Sequence, residues 1–486
     1  MLEQPTPFIW NWNNFKWWMS DNPYLWQAGQ FQESVNIDVQ SEPNGFKLNS
    51  APVSLITTAS QPVVIIDMKE LAFTWVYTIC TDWEFYLDWT ATPVYTHTGS
   101  KIINAIAKRV AWGTYNIYYF TDDWKLHKLT SAYVHSVLYS TLNAATVMPV
   151  IRYWDDIYFG DWNAFKKLTD SEVLSTIFTA SNLNQITAIT FFQDQFRLYT
   201  NLWGIDWQQF DIAIWASAPT TIVKWNKLPI LGATNKGAID YVTTGYSLAY
   251  SDLYLVSWTQ RQLLKSNYEG NPVWRRFTEK ITTWKDEVFL LGSNKQSTST
   301  GNSIFRLGSY FPWLPEALTE IYRWDATTWN VSCITAGFNT LYIWAKQASW
   351  VYKTITINLD TPVTAPYNSV GYVVSNIFTN NQPEEVKNID EIKISYMCDN
   401  ANPYFPHWGT IKLYGRILPS ASFVQIGDSY TKTDIGTIRI DKKQIAAAWI
   451  GDFYQLELKA EITQQSAYIT PLVTGIKVTG TTNLKN

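Results

Sequence analysis

Strand-like runs of aromatic and β-branched residues recur along this chain at nearly constant spacing. Val76-Tyr77-Thr78-Ile79, Ile117-Tyr118-Tyr119-Phe120, Ile157-Tyr158-Phe159 and Phe196-Arg197-Leu198-Tyr199 start 41, 40 and 39 residues apart. After a longer step come Leu253-Tyr254-Leu255-Val256, Val288-Phe289-Leu290-Leu291 and Leu341-Tyr342-Ile343-Trp344. A second run often follows, as at Glu84 to Leu87, Lys125 to Leu129 and Ala164 to Leu168. Apolar segments such as Ala105 to Ala111 and Ile186 to Phe192 precede them. Three or four strands repeated every ~40 residues is the pattern of a β-propeller blade, which buries its faces only by stacking on neighbouring copies. About seven such units fit between residues 60 and 360, the later ones irregular enough to allow six or eight. A large sandwich or barrel also spaces strands evenly and is the competing all-β reading; the recurring hairpin favours the propeller.

Beyond residue 360 the character changes. "LDTPVTAPYNSVG" is a Pro-, Thr- and Ser-rich linker, "NNQPEEVKNID" a polar turn, and strands then resume from Glu391 to Val478. The alternation Ile392-Lys393-Ile394-Ser395-Tyr396 points one face inward. The chain therefore divides into an N-terminal arm (1–58), a β-propeller (59–360), a linker (361–385) and a β-sandwich (386–486). Helix-friendly stretches are few; "KKQIAAAWIGDFY" near residue 445 is one.

Tryptophan is the abnormal residue. There are 26 of them against 22 glycines, where an ordinary glycine share would give about 34 in this length. The excess falls on turns. "YTICTDWEFYL" (77–87), "YYFTDDWKLHKL" and "IYFGDWNAFKKL" (157–168) each run strand, Asp, Trp, strand, so Trp83, Trp124 and Trp162 occupy one turn in three successive units. Trp89, in "YLDWT", also follows Asp. Hairpin turns need positive φ at central positions and take glycine there; a bulky aromatic is a steric outlier. Replacing each Trp by Gly turns these lines into ordinary type I′ hairpin sequences. Two readings follow. Either the tryptophans form an aromatic binding rim suited to sugars or bases, or they are glycines encoded by UGA, a codon that some bacterial genetic codes read as glycine. The second accounts for excess Trp, missing Gly and turn placement together, and would make Trp17-Trp18 a Gly-Gly loop.

On that reading the N-terminus becomes "NFKGGMSDNPYLGQAGQFQESVNIDVQSEPNGFKLNS". The printed residues already carry Ser20-Asp21-Asn22-Pro23-Tyr24, Asn36-Ile37-Asp38-Val39 and Pro43-Asn44-Gly45-Phe46-Lys47-Leu48. This segment resembles the opening of propeller-type virion proteins of tailed bacteriophages, in which an arm with an "S-P-Y" loop and an "N-x-D-x … P-G … K-L" strand leads into the ring. Trp17, Trp18 and Trp26 depart from that pattern unless they are glycines. The resemblance implies a non-enzymatic structural protein of the virion, made in the host bacterial cytoplasm. It implies homo-oligomeric copies at the head–tail connection or tail, with other virion proteins as partners. No family catalytic motif is carried over.

The residues agree with a non-enzymatic role. The formal net charge of −4 offers a nucleic-acid backbone little nonspecific attraction, and no sequence-specific nucleic-acid binding is expected. No signal peptide opens the chain and no run reaches the ~18 apolar residues of a membrane span, so a membrane partner is not expected. Cys80, Cys333 and Cys398 form no CxxC pair and read as buried thiols. The four histidines, His97, His127, His135 and His407, lack the spacing of a zinc motif. No phosphate loop, dinucleotide fingerprint or nucleophile elbow occurs, and "DWNAFKKLTDSE" has too few oxygens for a calcium loop. No catalytic, cofactor or metal set is therefore expected. Asp122-Asp123 and Asp155-Asp156 sit at turns, where Asp bonds the backbone. Two other classes stay open: a glycan-binding adhesin using the turn tryptophans, and a glycoside hydrolase with carboxylates about 5–10 Å apart.

Overall fold

The computed structural model describes the chain except residues 1–5, 13–30, 39–44, 89, 144, 146, 182–183, 203–205, 227–229, 247–249, 258–259, 269–274, 295–302, 309–316, 324–328, 338, 348–350, 360–365, 380–383, 399–407, 421, 467 and 484–486. Ser20 to Tyr24, Trp17, Trp18, Trp26, Val39, Pro43, Asn44, Trp89 and His407 thus lie outside the described residues.

Among the described residues, seven four-stranded sheets follow one another. Blades 1 to 6 each use four consecutive strands and span 62–96, 102–139, 150–179, 184–226, 230–268 and 275–323. Blade 7 joins Trp329–Gly337, Thr340–Gln347 and Tyr352–Asn358 to Val53–Thr58, a strand from before blade 1. There Tyr352 faces Thr58 and Thr354 faces Ile56. The first strands of successive sheets pack side by side, and that of blade 7 (Trp329–Gly337) packs on that of blade 1 (Pro62–Asp67), so the cycle closes. Residues 53–358 thus form a seven-bladed β-propeller.

The period-2 alternation of a strand explains how the blades cohere. On Thr114–Thr121, Ile117 and Tyr119 pack with Tyr77, Ile79 and Phe85 of blade 1, while Tyr118 and Phe120 pack with Ile157, Phe159 and Leu168 of blade 3. The next strand repeats the device, with Tyr158 turned toward Phe196 and Leu198 of blade 4. Both faces of these strands are covered, so they read as continuous apolar runs, and those runs set the repeat.

The observed second strands begin at Val76, Thr114, Asp156, Gln195, Ile239, Glu287 and Thr340. The run Leu253 to Val256 is instead the third strand of blade 5 (Tyr250–Ser257). The true second strand, Ile239–Tyr246, carries Asp240, Thr243 and Thr244, all buried, and these polar residues break the apolar signal.

By contact the chain falls into two compact units, 53–303 with 324–357, and 1–52 with 304–323 and 358–486. The expected arm (1–58) therefore divides: its last strand belongs to the ring, and the rest joins the C-terminal region. In that second unit Thr6–Trp12 edges a four-stranded sheet with Leu472–Asn483, Val386–Met397 and Ile435–Asp441. Phe31–Val35 edges a five-stranded sheet with Val370–Ser375, Leu456–Gln464, Gly409–Ile417 and Val424–Lys432. Val370–Ser375 lies inside the stretch expected as linker. Phe8, Trp10 and Phe453 gather around Phe378, with Trp10 stacked on it at 4.7 Å. The helix-friendly stretch forms one short helix, Lys442–Ala447, whose Asp441 and Gln444 make a reciprocal capping box.

Candidate functional site

Three of the four histidines meet on the propeller. His97 follows the outer strand of blade 1 (Tyr95–Thr96). His127 lies on the third strand of blade 2 (Leu126–Thr130) and His135 opens its outer strand (His135–Tyr139). One ring nitrogen from each lies within 4.8 Å of the others. His97 and His127 are buried and His135 is partly exposed. Residue spacing hid this group, because its members come from two blades.

Hydrogen bonds orient two of the three rings. The Tyr119 hydroxyl meets His97 Nδ1 at 3.1 Å, which holds that ring in place. Thr121 Oγ1 lies 3.1 Å from His127 Nε2. Thr121 has one hydrogen, and its other neighbours, the Asp123 carboxylate at 2.6 Å and the Lys125 carbonyl, are acceptors. Thr121 therefore accepts from His127, so Nε2 carries the proton and Nδ1 keeps its lone pair. That Nδ1 faces His135 Nε2 at 2.9 Å. Burial, then the nearby His97 and His135, pushes His127 down to about 4. His97 is lowered by burial and by His135, and His135 by burial.

The turn tryptophans lie where glycine is demanded. Trp83, Trp124 and Trp162 have φ of 80°, 65° and 53°. In the first two, Trp N–H donates back to Cys80 O and Thr121 O, and the preceding Asp has no positive φ. These are turns closed by a single left-handed residue, rather than the expected type I′ pair. In blade 3, Asp161 pairs with Ala164, so Trp162 is the first of two loop residues, the glycine position of a type II′ turn. Each Trp carbonyl accepts from the chain that follows the blade: His97 N at 2.7 Å, Leu142 N at 3.0 Å and Ile186 N at 2.7 Å. The turn thus guides the crossing toward the next blade. The indole N–H of Trp83 is buried without a hydrogen-bond partner.

The carboxylates serve the frame. Asp122 accepts from Lys101 N, Asp123 from Thr121 and Lys125, and Asp156 from Asp170 N and Lys167. Buried Asp161 pairs with Lys166, Asp211 and Asp240 share Arg197, Glu320 pairs with Arg323 and Glu457 with Arg416. The three cysteines are buried free thiols.

No protein family model and no curated protein sequence matches this chain. Solved structures do resemble it. PorZ, a surface component of the type-IX secretion system of Porphyromonas gingivalis, is 11% identical with a TM-score of 0.41, covering 70% of this chain and 44% of PorZ. The Swd1 β-propeller domain of Myceliophteria thermophila is 9% identical with a TM-score of 0.43, over 64% of this chain and 99% of the domain. The WD40 β-propeller of Doa1 is 10% identical with a TM-score of 0.43, over 63% and 96%. The chain spans less than half the length of PorZ. Likeness at this level carries no argument about activity.

Proposed function

We propose that this protein is a non-enzymatic building block of a tailed-phage virion, present in several copies at the head–tail connection or tail. The observation that carries the reading is the use made of the segment that resembles such proteins. Ile37, Phe46 and Leu48 are fully buried, and Ile37–Asp38 pairs with Lys47–Leu48. Around them, Asp38 meets Arg306 at 3.5 Å, Ser34 accepts from Glu320 N, and the Asn49 amide donates to Ile321 O. The segment is a framework that ties chain ends into one unit, and the carboxylates named above, Asp122 apart, are held in ion pairs. Both suit a rigid assembly component.

Mass spectrometry of purified particles from the source culture, with immunogold electron microscopy, tests this. Peptides of the chain in intact virions and label at the neck or tail are expected. Peptides confined to soluble lysate, with none in particles, would sink the proposal. A second reading, a glycan-binding adhesin, needs exposed indoles: Trp112 and Trp215 are exposed and Trp124 is half exposed, whereas the turn residues Trp83 and Trp162 are partly buried. It requires those side chains to exist in the natural product, and binding on a glycan array that their removal abolishes.

A further inference from the structure

The geometry points to a transition-metal site of the zinc type formed by one ring nitrogen each of His97, His127 and His135. Three imidazoles converging from two blades match a three-histidine zinc site, a class in which water takes the remaining position. Imidazole also suits copper and nickel, so the ligand is named by class. The supporting shell is what such a site requires. Tyr119 fixes the His97 ring, and Thr121, itself bonded to Asp123, fixes the His127 tautomer so that Nδ1 is bare. An ion here would join the outer strand end of blade 1 to the third and outer strands of blade 2.

The test uses the full chain, stripped with a chelator and then titrated with Co2+ and Zn2+. Visible absorption reports the cobalt coordination, and elemental analysis the stoichiometry. One metal per chain is expected, displaced by Zn2+. His135→Asn, at the partly exposed position, should weaken binding by ~10–100-fold or more. Thr121→Val, which leaves all three ligands but removes the partner of His127, should weaken it by ~10-fold. His407→Asn should change nothing. Circular dichroism of each variant separates lost binding from lost fold, and if His127→Asn fails to fold, His135→Asn still decides. No retained metal, or binding that survives His97→Asn with His135→Asn, overturns the site. So does loss on changing His407.

Independently, we infer that Trp83, Trp124, Trp154, Trp162 and Trp449 are glycine in the protein its source organism makes. Among the described residues, fourteen non-glycine residues have positive φ and five of them are Trp. At its share of the chain, 26 in 486, fewer than one of the fourteen would be Trp (14 × 26/486). Trp154 is the first residue of the two-residue loop closed by Tyr153 and Asp156. Trp449, at φ 59°, follows the C-cap of Lys442–Ala447; it donates to Ala446 O while Ile450 N reaches Ile445 O. That bonding pattern is the Schellman motif, whose left-handed residue is usually glycine. Two unrelated structural contexts, hairpin and helix end, thus converge on one substitution. The codons at the five positions, read together with peptide masses of the protein from its source, decide the matter. UGA codons and glycine masses are expected. A UGG codon or a tryptophan mass at any site overturns that assignment, and at most of them overturns the inference.

Discussion

Replacing an exposed tryptophan of these turns by glycine should stabilise the protein, the reverse of what loss of a large apolar side chain usually does. Trp449 is 90% exposed and Trp154 79%, so almost no burial is lost. Leaving the left-handed region to a residue without Cβ relieves about 1–2 kcal/mol, while glycine's extra freedom in the unfolded chain returns about 0.5–1 kcal/mol. The net gain is about 0.5–1 kcal/mol per site. Trp124 and Trp154 lie on turns of different blades, but Trp124 is only 47% exposed, so W124G also forfeits apolar burial and W124G/W154G should gain less than twice the W154G value. Trp162 packs beside Tyr118, Phe120 and Phe159 and should gain less. Trp10 is buried and stacked on Phe378, so Trp10→Gly should lose about 3–5 kcal/mol. Urea unfolding of the recombinant chain, followed by circular dichroism, measures the series. A loss of 1 kcal/mol or more in W449G or W154G, or a gain in Trp10→Gly, refutes left-handed strain as the cause.

Three further outcomes are expected. Asp240 accepts from Thr190, Arg197 and Tyr199 between blades 4 and 5; Asp240→Ala should cost about 3–5 kcal/mol, because the Arg197 charge is left half-paired in the interior. A double-mutant cycle with Arg197→Met checks it, and strictly additive losses would argue that the two do not interact. Burial pushes the Cys80 and Cys398 thiols up to about 12, so at pH 8 only about one in ten thousand is thiolate. Both should resist a disulfide reagent in native protein and react once urea unfolds it; fast native labelling contradicts the buried placement. Ile56 is buried on the strand that closes blade 7, so Ile56→Ala should cost about 2–5 kcal/mol. An unchanged melt would mean that the ring does not depend on that closure.

The repeat was legible because the second strand of each blade is covered on both faces and so writes a continuous apolar run, as at Tyr118-Tyr119-Phe120. In blade 5 buried Asp240, Thr243 and Thr244 break that run, and the apolar signal falls on the third strand, Tyr250–Ser257, instead. The glycine-like turns were also local signals. A hairpin turn depends on a few neighbouring residues, so Trp83, Trp124 and Trp162 stood out in one dimension, although the turn type did not.

The sequence by itself determined the all-β class, the blade repeat and the turn positions, since each rests on residues within one strand or hairpin. Tertiary structure alone decided the rest. It placed Val53–Thr58 in the last blade and the remaining N-terminal strands beside the C-terminal sheets. It also brought His97 to His127 and His135 across two blades. Such pairings join residues far apart in the chain, and their geometry comes from ring closure and sheet order, for which no local pattern of side chains exists.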